Sequence, residues 1–398
     1  MPLLFVAILV ASCDKTKGGA GAGFEVEAFA FQDESEKWGL MDMDGNVIVE
    51  PRFEGMPTCL INGTFSVWGE DERYDLYSIK DGKGKKLGNY FDMGSFTGKL
   101  CPVFDDDGNA SYIDKEGKTV YDLKKINGKE VVSAFNHFCG RAMIRLDNGK
   151  WGYIDEKGQT AIPFKYFDAW NFSDDVAIVF LKNPERTGAK WALLDKDGNE
   201  LFTKKFSEMR PNDYSYKGGY LVCTDKNGRS CIIDKKGEVV LKMKDGINIM
   251  EVPLNGMFVV YDNDEEKYGL MDLEGNYVLK CKYEMVAYNG MLIAAATDEQ
   301  RFSLYSTKGE KLARLPRGNV ELFDPAFKNA DKRLLVGDYE DGYRFVDAEG
   351  KEVCDVDIHS TNTGFYWGAS CSEGEEYYGE EEYDEEGDYD EEEDYDEE

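Results

Sequence analysis

The 79 carboxylates and two histidines of this 398-residue chain limit the chemistry open to it. Histidine is the usual general base and transition-metal ligand, yet His137 and His359 stand isolated in the string. Neither HExxH nor GxSxG occurs, so metalloprotease and serine-hydrolase machinery lacks its parts. Gly117-Lys118-Thr119 imitates the end of a phosphate-binding loop, but position 112 is Tyr and a strand, not a helix, is expected to follow. Asp105, Asp107, Asn109 and Glu116 have the spacing of calcium-loop ligands. Ala110 takes the place of the required glycine, however, and no flanking helices are expected. No cofactor or metal is therefore expected. Acid–base pairs for glycan hydrolysis stay open, because carboxylates are abundant and their separation does not show in sequence.

Charge narrows the partners. The net charge of −32 excludes nucleic acid, which needs clustered Lys and Arg. Eighteen of the last 26 residues, Glu373 to Glu398, are Asp or Glu, with five Tyr, three Gly and no cation. A block this acidic repels itself, which predicts a disordered solvating tail at 373–398 with at most loose Ca²⁺ association.

At the other end, Leu3 to Val10 form an apolar run too short to cross a bilayer, followed by small residues and Cys13. Val10-Ala11-Ser12-Cys13 resembles a bacterial lipobox, which implies a signal peptide over 1–12, cleavage before Cys13 and lipid on its thiol. Residues 13–23, rich in glycine, read as a flexible tether. The expected location is then the bacterial cell envelope, lipid-anchored, at the outer membrane.

Between these segments, residues 24–372 are organised by one repeated stretch, clearest at Lys150 to Phe164 (KWGYIDEKGQTAIPF). Trp151, Tyr153 and Asp155 alternate with Gly152 and Ile154, the period of a strand. Asp155 opens a turn whose backbone N–H groups its carboxylate can accept, and Gly158 supplies positive φ; a returning strand follows. The turn glycine recurs at Gly45, Gly82, Gly117, Gly158, Gly198, Gly237, Gly275, Gly309 and Gly350, at intervals averaging about 38 residues. An aspartate stands three residues earlier in seven units: Asp42, Asp114, Asp155, Asp195, Asp234, Asp272 and Asp347. Ser306 takes that place in one unit, and Ser78 carries an extra residue in the other. Each unit adds a second strand signal upstream, such as Ala142 to Arg145 or Met257 to Tyr261, and no long 3.6-residue periodicity appears. The expectation is all-β: nine tandem antiparallel units of three or four strands, forming a β-propeller-like ring or an open curved β-solenoid. Phe24 to Phe31 at one end, and Val353 to His359 with Gly364 to Trp367 at the other, offer strands that could close a ring.

The stretches around Trp38, Trp151, Trp191 and Tyr268, reading KWGLMD, KWGYID, KWALLD and KYGLMD, resemble the WG (KWG-type) β-repeats of bacterial proteins. That resemblance implies an all-β repeat domain, often envelope-associated, and brings no catalytic residues. Physics gives the motif a packing job: the aromatic fills one face, and a residue without a side chain admits close approach on the other.

Eight further cysteines fit neither a disulfide framework nor a metal pair, and buried free thiols are expected, with Cys223 and Cys231 facing across a hairpin near Asn227. The function these features predict is a membrane-anchored, non-enzymatic repeat scaffold for a protein or an envelope polymer. The alternative is an envelope glycan hydrolase with unidentified carboxylates.

Overall fold

The computed structural model describes residues 24–80, 83–298, 301–338, 342–362 and 368–370. The expected signal peptide, Cys13, the tether, Gly82 and the acidic tail lie outside the described residues. Everything described is strand, turn or loop, without a helix.

Nine antiparallel blades follow one another along the described residues, spanning 26–53, 60–90, 92–122, 129–166, 168–205, 209–242, 247–283, 285–314 and 319–356, the first two joined in one sheet. Each blade has a set of four strands, and the innermost is short except in blade 4, where Lys129–Phe138 has ten residues and also pairs with Lys125–Ile126 and Gly368–Ser370. Blade 1 obtains its fourth strand from the far end of the chain: Ser360–Asn362 pairs antiparallel with Val26–Gln32, with Ala30 opposite Asn362. Blades 9 and 1 are sewn together further, since the Val26 amide donates to Ala326 O (2.8 Å), Lys328 N to Val26 O (3.0 Å) and His359 N to Gln32 O (2.7 Å). A closed, nine-bladed β-propeller results, and the open solenoid is set aside. Blade 2 is also stitched to blade 1, where Leu60–Ile61 pairs with Val26–Gln32.

The core is a chain of interfaces between consecutive blades. Phe29 of blade 1 meets Phe323 and Phe345 of blade 9, ring centroids 5.3 and 6.2 Å apart. Units of about 38 residues cannot bury both sheet faces alone, so every face is covered by its neighbour. Buried side chains tie blades together by hydrogen bonds too: Tyr112 Oη donates to Phe135 O (2.6 Å), Tyr153 Oη to Trp170 O (2.7 Å) and Trp191 Nε1 to Met209 O (2.9 Å).

The cysteines depart from expectation in two ways: Cys281 and Cys354 are only half-buried, and Cys139 is not free. Cys59, Cys101, Cys223, Cys231, Cys281 and Cys354 are free, and Cys223 stands opposite Cys231 in the hairpin register. Cys139 is disulfide-bonded rather than free. It occupies a turn with φ of 54° rather than a strand, so its thiol was never a buried strand hydrophobe.

Candidate functional site: the repeat motif and the inner wall

The turn aspartates carry out what their position suggests. Asp155 Oδ1 accepts the amides of Lys157 and Gln159, both at 2.9 Å, while Gly158 N donates to Asp155 O at 3.0 Å with φ of 76° at the glycine. Asp42, Asp195 and Asp234 repeat the pattern at 2.9 Å, and Asp114, Asp272 and Asp347 accept the same amide at 2.7–2.9 Å. The Ser306 hydroxyl replaces the carboxylate, at 3.2 Å. A second family of Asp turns, at Asp33, Asp105 and Asp225, closes hairpins between the second and third strands. The calcium-like spacing at Asp105 is one of these: its Oδ1 is engaged with the amides of Asp107 (3.1 Å) and Asn109 (2.8 Å). Burial opposes ionisation of Asp155, but the Gln159 and Lys157 amides outweigh it and lower its pKa. That stabilisation is present above the unfolded carboxyl range and is lost as pH falls through the folded value. Asp155→Ala should cost about 1 kcal/mol at pH 7, read from the urea midpoint, and less at pH 3.

The turn glycines do more than turn. A Cβ at Gly158 would lie 2.9 Å from the Tyr121 ring of blade 3, at Gly237 2.9 Å from Phe202 of blade 5, and at Gly117 3.2 Å from Leu87 of blade 2. At Gly198 it would meet Ile162 of blade 4, at Gly275 Leu241 of blade 6, at Gly309 the Val278 carbonyl of blade 7, and at Gly350 Ala313 of blade 8. Gly45 completes the circle, 2.8 Å from Cys354 Sγ of blade 9. Each described turn glycine is thus the joint onto the outer strand of the preceding blade.

The second glycine of the motif has a different cause. Trp151 pairs with Tyr166 and Tyr153 with Ile162, so Gly152 alone opposes three residues, 163–165. Gly39 faces the same bulge in blade 1 and Gly269 in blade 7. The bulged backbone crowds the position: a Cβ would lie 2.8 Å from Ile162 O at Gly152, 2.5 Å from Val49 O at Gly39 and 2.7 Å from Leu279 O at Gly269. In blade 5 the register runs unbroken through Ala192↔Thr203, and alanine fits. Trp191 is fully buried and Trp151 is 5% exposed, whereas Trp38 and Tyr268 are half-buried at the blade surface.

Sequence reasoning passed over the inner wall. Asp168, on the innermost strand of blade 5, is raised to about 6 by loss of solvent, although the Ala169 amide donates to it at 2.9 Å. Asp324, after the innermost strand of blade 9, is likewise raised to about 6. Burial also raises Asp213 of blade 6 and Glu251 of blade 7, the latter still reached by water. The positive charge of Lys217, 5% exposed, offsets part of the cost of burial at Asp213, Glu251 and Asp324. Among the described residues no group of three His, Cys, Asp or Glu is placed to hold a metal ion. The thiols are unreactive by environment: burial pushes Cys59, Cys101 and Cys223 well up and Cys231 to about 11.

The sign of the Asp168 shift is testable. Its folded pKa lies above the unfolded 3.8, so the ionised carboxylate weakens the fold above about 6 and the penalty fades as pH falls toward 4. Asp168→Asn should therefore raise stability at pH 7.5 by roughly 1–2 kcal/mol, discounted for partial exposure, with the gain gone at pH 4 in thermal melts.

Comparison with known proteins fits this geometry. The family described as WG containing repeat matches residues 38–58, 151–183 and 268–293, which begin at the three bulged motifs of blades 1, 4 and 7. No curated protein matches the chain. A solved structure titled as the eukaryotic initiation factor is similar at TM-score 0.56 and 14% identity, covering 87% of this chain and 98% of that one. BamB from Moraxella catarrhalis gives TM-score 0.37 at 12% identity, over 82% and 95%. Hsv2 of Kluyveromyces lactis gives 0.35 at 11%, over 55% and 75%. The first of these likenesses speaks to fold alone. The chain thus carries WG-type repeats in blades 1, 4 and 7, where the family model matches and the bulged motif is found, and the same Asp…Gly turn recurs in most of the other blades.

Proposed function

We propose that this protein is a non-enzymatic propeller scaffold, anchored to a bacterial envelope membrane by lipid on Cys13, that binds a protein or an envelope polymer. The observation carrying this reading is how the repeated residues are spent. The aspartates are engaged in turns, the glycines in joints and bulges, and Trp151 and Trp191 in blade interfaces, so the motif serves the ring itself. Recognition falls to what differs between blades, the end loops and the inner wall. A pull-down from envelope extracts, using the chain with and without residues 373–398, tests it. A partner retained by both forms supports the ring as the contact surface; no specific partner with either form overturns the scaffold reading. Cys13→Ser should move the protein from the membrane to the soluble fraction.

A glycan hydrolase is the second reading, favoured by one observation: Asp168 and Asp324 are held near pH 6, where a general acid is useful. Release of reducing sugar from peptidoglycan, abolished by Asp168→Asn or Asp324→Asn, would establish it.

A further inference from the structure

We propose that the acidic stretch Glu373 to Glu398 docks along the outer strands of blades 4 to 8 of its own ring, held by the cations those strands carry. This stands independently of the scaffold reading, since it concerns only what one part of the chain does to another.

The outermost strands of these five consecutive blades read TAIPFKY, ELFTKK, VVLK, YVLKCKY and KLAR. Together they hold eight Lys or Arg against one carboxylate, Glu200, in a chain whose carboxylates outnumber its cations even outside the tail. Lysine on a sheet edge commonly guards it against pairing with another edge. That need is the same in every blade, yet the outer strands of blades 9, 1 and 3 read EVCDV, VIVEPRF and TVYD, with no net positive charge. Blade 2 has a basic outer strand too, but it stands alone between blades 1 and 3, and its Lys86 already pairs with Asp75.

Within the arc, Lys205 and Lys242 have partners in Glu208 and Asp225. The other six, Lys165, Lys204, Lys280, Lys282, Lys311 and Arg314, have no carboxylate partner among the described residues, and all but the half-buried Lys204 are exposed. Leu201, Val240, Tyr277 and Leu312 are exposed on the same strands.

Charge and reach single out the occupant. Gly368–Ser370 pairs with the inner strand of blade 4, so the tail starts at the blade where the arc begins. Inner to outer strand is three steps of about 4.8 Å and stacked sheets lie about 10 Å apart, which puts the far end of the arc about 60 Å away. Residues 371–398, extended, reach about 90 Å. Their 18 carboxylates complement the unpaired cations, and Tyr383, Tyr389 and Tyr395, spaced among the acids, suit the exposed Leu and Val side chains. Contacts between exposed charges are individually weak, so the docking is a sum of many and sensitive to salt.

Carbodiimide coupling of the full chain at low salt, read by mass spectrometry, tests this, because it joins a carboxylate only to an amine in contact with it. Cross-links from residues 373–398 are expected to concentrate on Lys165, Lys280, Lys282 and Lys311 rather than on the exposed Lys118 and Lys351 of blades 3 and 9. Their yield should fall about fivefold at about 0.5 M NaCl, where the Debye length is about 4 Å. A similar fall is expected at Lys204 and Lys205 in Lys280→Gln/Lys282→Gln/Lys311→Gln/Arg314→Gln, whose substituted side chains are all exposed and whose melting temperature should not change. Cross-links spread evenly over the exposed lysines of all blades, a yield indifferent to salt, or none from the tail, would overturn the docking. Mixing ¹⁵N-labelled with unlabelled chains fixes the source: cross-links confined to one isotope support it, whereas mixed-isotope cross-links would place the tail on a neighbouring copy and overturn it.

Discussion

Gly309→Ala should destabilise the protein by roughly 3 kcal/mol or more, while Gly128→Ala should cost about 1 kcal/mol. The two glycines share their backbone conformation, with φ of 78° and 79°, so the strain of a left-handed alanine is common to both. They differ in surroundings. A Cβ at Gly128 meets nothing within 4 Å, whereas at Gly309 it runs into the Val278 carbonyl of the preceding blade. Backbone cannot rotate away as a side chain can, so the joint must open or the turn must shift. Urea unfolding of both variants measures the difference, and equal costs would show that the turn glycines serve only their own hairpins.

Trp191→Ala is the second large effect, at about 3–5 kcal/mol. The indole is wholly buried, packs edge-on to Phe202 at 5.4 Å and donates Nε1–H to Met209 O of the next blade at 2.9 Å. Trp191→Phe keeps most of the volume but leaves that carbonyl unpaired, and should cost roughly 1–2 kcal/mol. Trp68, 42% exposed, provides the contrast: Trp68→Ala should stay near 0.5 kcal/mol. Thermal melts of the three variants rank them. A small effect at Trp191 would mean that blades 5 and 6 do not meet through it.

What the sequence revealed was local. The Asp…Gly turn is decided within five residues, so its place and hydrogen bonds at Asp155 and Gly158 could be read directly. The inter-blade role of the same glycine was hidden because its partner lies a unit away. A signal did exist: an apolar residue stands four positions after most turn glycines, as at Tyr121, Phe202 and Leu241, and that residue seats the next glycine. Likewise the motif glycine's small size was legible, but not the bulge that demands it, which depends on how Ile162 and Tyr166 pair with the neighbouring strand. Ring closure and the pairing of Gly368–Ser370 with blade 4 join residues far apart in sequence. No periodicity encodes them.

The central claim is that the nine blades form one closed ring, with the two ends of the repeat region bonded to each other. Amide hydrogen exchange on the intact protein tests this most directly, at Lys328 and His359, whose N–H groups donate to Val26 O and Gln32 O. The closed ring predicts protection there comparable to the Tyr220–Asp225 and Ser230–Asp234 hairpin, whose bonds are local to one blade. Exchange of both amides at free-peptide rates, with that hairpin still protected, would contradict it and leave an open array.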